Sequence, residues 1–126
     1  MNEEKSQAIV DFLTQFKNIM VTGRGLDVVP RSENKQALLE LGLTAKNRFD
    51  EILSLTVSNY CEGPLEDRDR PGHVWCFGKL IDKKEVYIKL KIATVEGITV
   101  AKCLSFHIAK YPLNYPCRKN GEDELK

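Results

Sequence analysis

Apolar side chains recur at helical spacing from the start of the chain. Ile9, Phe12, Leu13, Phe16, Ile19 and Met20 fall three and four apart between Glu3 and about Val21, with Lys5, Asp11, Gln15 and Lys17 at the remaining positions. The spacing predicts one amphipathic helix within residues 1–22, laid on a core and ended by Gly23 and Gly25. A second helical stretch, residues 32–56, divides in two. Ser32 is placed to cap a helix through Leu41, with Ala37, Leu38 and Leu41 as its apolar face and Gly42 as its stop. Thr44 is placed to cap the next, Ala45 to Ser54, where Phe49, Ile52 and Leu53 repeat at three and four. The short turn between them has helix-turn-helix character, but the acids Glu33, Glu40, Asp50 and Glu51 point to a packing role rather than a DNA-facing helix.

From Val74 the period shifts to two. Val74 to Ile81, Glu85 to Ala93 and Ile98 to His107 read as strands, and the short connections Asp82-Lys83-Lys84 and Thr94-Val95-Glu96-Gly97 force neighbours to pair antiparallel. In the middle strand Val86, Ile88, Leu90 and Ile92 point to one face, Tyr87, Lys89 and Lys91 to the other. The expected fold is therefore α+β: N-terminal helices packed on a small antiparallel sheet of at least three strands across residues 74–108. Residues 62–73 hold Gly63, Pro64, Pro71, Gly72 and six charges, the composition of an exposed loop. Pro112 and Pro116 keep the following segment out of a central strand, so it is expected to wrap the sheet edge or border a site. Residues 118–126 are expected to fray.

The 126 residues make a single domain with room for a core that needs no disulfide or metal staple. The apolar runs are far shorter than the ~20 residues that cross a bilayer, and Met1 to Lys5 is no secretory leader, so the expectation is a cytoplasmic protein with no membrane partner. Cys61, Cys76, Cys103 and Cys117 contain no C-x-x-C pair, and only His73 and His107 could supplement them. They read as reduced, buried or half-buried thiols, with no metal and no cofactor expected.

Charge changes the picture more. Residues 1–78 carry 9 Lys/Arg and 12 Asp/Glu, a net of −3, whereas residues 79–119 carry 9 Lys/Arg and 3 Asp/Glu, a net of +6. A basic second half is suited to a polyanion. Alternation brings Lys79, Tyr87, Lys89, Lys91, Ser105 and His107 to the polar face, provided Leu104 and Phe106 turn into the core, and Trp75 shares the parity of Lys79. Lysines neutralise phosphates, Tyr or Trp offers a ring to an unstacked base, and an imidazole exchanges a proton near neutrality. Cleaving RNA needs those groups and no metal, because the 2'-hydroxyl is the nucleophile. Lysines alternating on a strand also describe an ordinary solvated face, and a histidine at a strand end is often structural. The pattern alone leaves both readings open.

Several stretches carry a resemblance: Tyr60-Cys61-Glu62-Gly63-Pro64, Val74-Trp75-Cys76-Phe77-Gly78-Lys79, Glu85-Val86-Tyr87-Ile88-Lys89, and Leu104-Ser105-Phe106-His107-Ile108-Ala109 with Tyr115-Pro116 after it. Together with Leu43-Thr44 and the helix that follows, they resemble the motility quorum-sensing regulator (MqsR) toxins of the RelE-like superfamily, across roughly residues 33–116. The resemblance implies an endoribonuclease toxin that cleaves mRNA and is held inactive by a cognate antitoxin, the product of an adjacent gene. By position it places the family's tyrosine and lysine on Tyr87 and Lys89, and His107 close to where the better-known members have a lysine. With the polar-face pattern added to these two positions, the expected catalytic set is His107, Tyr87, Lys89 and Lys79, with Trp75, Lys91 and Ser105 contacting RNA. The alternative is a non-catalytic RNA- or protein-binding module on the same scaffold.

Overall fold

The structure, a computed structural model, describes residues 2–118. The chain runs α1 (Glu3–Thr22), β1 (Leu26–Val28), α2 (Ser32–Leu41), α3 (Ala45–Leu53), a 3-10 turn (Val57–Asn59), β2 (Tyr60–Glu66), β3 (His73–Ile81), β4 (Lys84–Val95) and β5 (Ile98–Ile108). The five strands form one sheet in the order β1-β5-β4-β3-β2. The three predicted strands pair antiparallel as expected, on an α+β scaffold. None of the helices is long and apolar enough to cross a membrane, among the described residues.

Each helix begins and ends for local reasons. The Asn2 side chain accepts from the Lys5 amide and caps α1, with Glu3 and Glu4 in the first turn. Ile9, Phe12, Leu13, Phe16 and Met20 are buried, so one stripe of α1 lies on the sheet. Phe12 stacks on Trp75 at 4.8 Å between ring centroids and on Phe77 at 6.1 Å. Thr44 and Asn47 form a reciprocal capping box at α3. Ser32 is the first helical residue of α2 rather than its cap; Arg31 holds the cap position and makes no side-chain cap bond. Gly42 ends α2 in the left-handed conformation, φ 67°, with its amide on Leu38 and Leu39 carbonyls.

Two strands were illegible from periodicity. β1, only three residues long, pairs parallel with β5, which makes the sheet mixed. β2 occupies Tyr60–Glu66, so the first part of the expected 62–73 loop is an edge strand, paired to β3 with two register shifts. Where β1 ends, a side chain continues its ladder. Asn34 on α2, 1% exposed, donates to the carbonyls of Val29 (2.9 Å) and Leu104 (3.1 Å) and accepts from the Phe106 amide (2.9 Å). This satisfies the β5 edge beyond Cys103 and locks α2 to the sheet.

A bulge in β5 corrects one expectation of facing. Lys89 pairs with Ser105 but Leu90 pairs with Cys103, so Leu104 is the extra residue. Cys103 therefore points into the core with Phe106, while Leu104 turns to the opposite face. Beyond β5 the chain does wrap the sheet. The Glu85 carboxylate accepts from the Leu113 amide (3.1 Å) and the Tyr115 hydroxyl (2.9 Å). A Cβ on Gly78 would overlap both Tyr115 and Leu113, which is why the strap can lie this close to β3. Arg118, expected to fray, donates to the Ser58 carbonyl at 2.8 Å; residues 119–126 lie outside the described residues.

Candidate functional site

The face of the sheet turned away from α1 is built from cross-strand pairs. Tyr87 on β4 lies opposite His107 on β5, and Lys89 lies opposite Ser105. Cys76 and Gly78 of β3 complete the same surface beside Lys89 and Tyr87. The rings of Tyr87 and His107 stand 5.6 Å apart, tilted by 41°. Three walls frame this surface: the β2 edge and the loop after it, Arg31 before α2, and the C-terminal strap.

Two cavities meet at Tyr87. A polar one of about 330 Å3 is lined by Lys89, Arg31, Arg68, Cys76 and Leu104, and by the acids Glu62, Glu66, Asp67 and Asp69. A smaller one of about 190 Å3 lies under the strap, lined by Tyr87, His107, Ala109, Lys110, Tyr111 and Leu113. Burial pushes the Tyr87 phenol up, and the hydrogen bond with Cys76 Sγ at 3.2 Å adds to the shift. Tyr87 is therefore a hydroxyl at neutral pH, a donor and not a base. His107 has one ring nitrogen, Nδ1, 3.0 Å from the Ile108 carbonyl oxygen and the other, Nε2, 3.7 Å from Glu33 Oε2. If Nδ1 carries the proton to that carbonyl, Nε2 is the face presented for proton exchange. Glu33 is held below its ordinary range chiefly by Lys110, 3.1 Å away.

The expected site residues separate into those the fold gathers and those it does not. Tyr87, Lys89 and His107 share the open face. Ser105 is on that face too but is 3% exposed, so no RNA contact is available to it. Lys91 also points that way and is buried. Its ammonium lies 2.6 Å from Asp67 Oδ2 and 2.8 Å from the Pro71 carbonyl oxygen, which clamps the loop after β2 onto the sheet. Lys79 and Trp75 are on the opposite face, because they pair with Val86 and Leu90, whose side chains enter the core. Trp75 is spent on Phe12. Lys79 pairs with Glu51 at 2.5 Å and bonds Ser54 at the end of α3. The common parity of Trp75, Phe77 and Lys79 was legible in the sequence; which parity faced the helices was fixed only by register.

Most of residues 62–73 are exposed, as expected, but Glu62 and Glu66 sit on an edge strand rather than in a loop, and Asp67 is an ion-pair partner of Lys91. Arg31, Glu33 and Lys110 were missed. They reach the face through packing of α2 on the β5 edge and through the strap, neither of which leaves a periodic signal. The four cysteines are free, with Cys76 and Cys103 buried. Desolvation pushes all four thiols up, Cys61 and Cys103 to about 12, so none is a thiolate at neutral pH. No family model, no curated protein and no solved structure matches the chain.

Proposed function

We propose that the open face is the active site of a metal-independent endoribonuclease, an mRNA interferase toxin of the MqsR and RelE-like kind. The observation that carries this reading is the Tyr87–His107 cross-strand pair with Lys89 two residues along on the same face. In this reading the 2'-oxygen of the substrate attacks phosphorus and the bond from phosphorus to the 5'-oxygen breaks. The products are a 2',3'-cyclic phosphate and a 5'-hydroxyl. Lys89 and Arg31, on the wall of the polar cavity, balance the charge that gathers on the phosphorane. The Tyr87 hydroxyl donates to a non-bridging oxygen. His107 Nε2 takes the proton from the 2'-hydroxyl as its oxygen attacks and delivers it to the departing 5'-oxygen; the Ile108 carbonyl orients the ring through Nδ1, and Glu33, 3.7 Å from Nε2, balances the imidazolium formed between the two transfers. Lys79, Trp75, Lys91 and Ser105 have no part in this scheme, which keeps His107, Tyr87 and Lys89 of the expected catalytic set and adds Arg31.

Toxins of this class are controlled by an antitoxin, and the product of the adjacent gene is the expected partner. Induction of the wild-type chain should arrest growth, and co-expression of that product should restore growth and give a complex that co-purifies. The Tyr87→Ala, His107→Ala double variant should be harmless at equal protein level. Normal growth on induction of the wild type contradicts the proposal.

One observation favours a second reading, a non-catalytic binding module on the same scaffold. Glu62, Glu66 and Asp69 share the polar cavity with Lys89, and carboxylates there oppose a phosphate. Tight RNA or protein binding with no cleavage would decide for that reading.

A further inference from the structure

The apolar cavity under the strap has no task in the chemistry above. Its volume of about 190 Å3 is below the roughly 300 Å3 at which whole drug-sized ligands begin to fit, so it suits one flat ring system. Tyr87, His107 and Tyr111 offer ring faces, and Leu113 and Ala109 supply the aliphatic remainder. Tyr111 is 79% exposed, a large ring held at the rim of an apolar hollow. The wall is preformed. Glu85 holds Leu113 and Tyr115, and Pro112 and Pro116 restrict the backbone before and after them.

The cavity's position says what the ring belongs to. Tyr87 is the partition between this apolar hollow and the polar cavity of Lys89, Arg31 and Arg68. A ligand crossing the partition presents an uncharged aromatic group to one side and an anion to the other, joined by a short linker. An unstacked nucleotide within a single strand has that form. We propose that the strap cavity holds one nucleobase of the RNA, the base flanking the phosphate at Lys89, and so selects the nucleotide at which the strand is cut. The inference rests on the RNA-cleaving reading of the face.

The test uses short single-stranded RNAs of mixed sequence, mapping of cleaved ends, and binding by fluorescence anisotropy. Two variants are compared with the wild type: Tyr111→Ala, at an exposed position where folding is not at stake, and Leu113→Trp, which fills the hollow. Tyr111→Ala should bind RNA about tenfold more weakly, the loss expected for one base stack. Leu113→Trp should lose the wild-type nucleotide bias at the cut. An RNA with one abasic position at the preferred site should bind wild type and Tyr111→Ala alike. If the wild type cuts RNA while both variants keep its affinity and cleavage profile, the cavity proposal is overturned and the active-site reading stands. If the wild type neither binds nor cuts RNA, both fall.

Discussion

Lys91 shows how far one residue's role departs from its type. In the sequence it is the third polar position of an alternating strand, where neutral substitution is expected to cost under about 0.5 kcal/mol. In the fold it is 4% exposed and paired with Asp67. Removing one partner of a buried pair costs about 3–5 kcal/mol, and Asp67 sits on a loop that can turn to water. Lys91→Gln should therefore cost about 2 kcal/mol in urea denaturation. The same pair sets an acid dependence. The Lys91 hydrogen bond, with the Asp69 amide, holds the Asp67 carboxyl down at about 2, below its ordinary value of ~3.9. The folded state then binds that proton less readily than the unfolded state. The stabilisation is complete above about pH 4 to 5 and is lost as pH falls toward 2. Urea midpoints measured from pH 6 to 2.5 should show this loss in the wild type and a flatter profile in Asp67→Asn. Asn34 is a second residue whose type misleads: Asn34→Ala would strand the buried Phe106 amide and two carbonyls, at about 1–3 kcal/mol for each group left unmet.

Among elements, the β4 alternation was the most reliable feature. Val86, Ile88 and Leu90 are each 0% exposed, because a strand with one wet face cannot slip by one residue without exposing its whole apolar set. Ile88→Lys should leave no folded protein by circular dichroism, since an unpaired buried charge costs several kcal/mol. The hairpin turns carry a smaller, opposite opportunity. Ile81 pairs with Lys84 across two residues, Asp82 and Lys83, both left-handed at φ 51° and 63°. That turn favours glycine at its second central position, so Lys83→Gly should raise stability by about 0.5–1 kcal/mol, read as a higher urea midpoint. The other turn, Glu96-Gly97, already has glycine there and serves as the comparison.

At the scale of the whole molecule, what was legible and what was not follow the same division. Periodicity carries α1, α2, α3 and three strands, because each buries a continuous apolar face. It is silent on β1, whose three residues are too few to alternate, and on β2, where glycine and proline interrupt a strand held by pairing to β3. The site follows suit. Tyr87, Lys89 and His107 were legible because β4 and β5 are regular up to and beyond the bulge. Lys79 and Trp75 were misplaced because parity gives two faces without saying which is covered. Arg31, Glu33, Lys110 and the strap meet the sheet only through tertiary packing. Assembling these parts leaves one cationic strand residue, one phenol and one imidazole on an open surface, bounded by acids on one side and an apolar hollow on the other.

The proposed chemistry on that surface is tested most directly by an end-group analysis. Purified wild-type protein, with EDTA present, is incubated with a defined single-stranded RNA, and the termini of any fragments are identified by mass spectrometry. Attack by the 2'-hydroxyl should give fragments ending in 2',3'-cyclic phosphate and beginning with 5'-hydroxyl. His107→Ala should cut at a rate lower by ~10² or more with its fold intact. Lys89→Ala should bind RNA more weakly, with a deficit that narrows as salt rises because one phosphate contact is lost. Intact RNA under these conditions, or fragments beginning with 5'-phosphate, would contradict that chemistry.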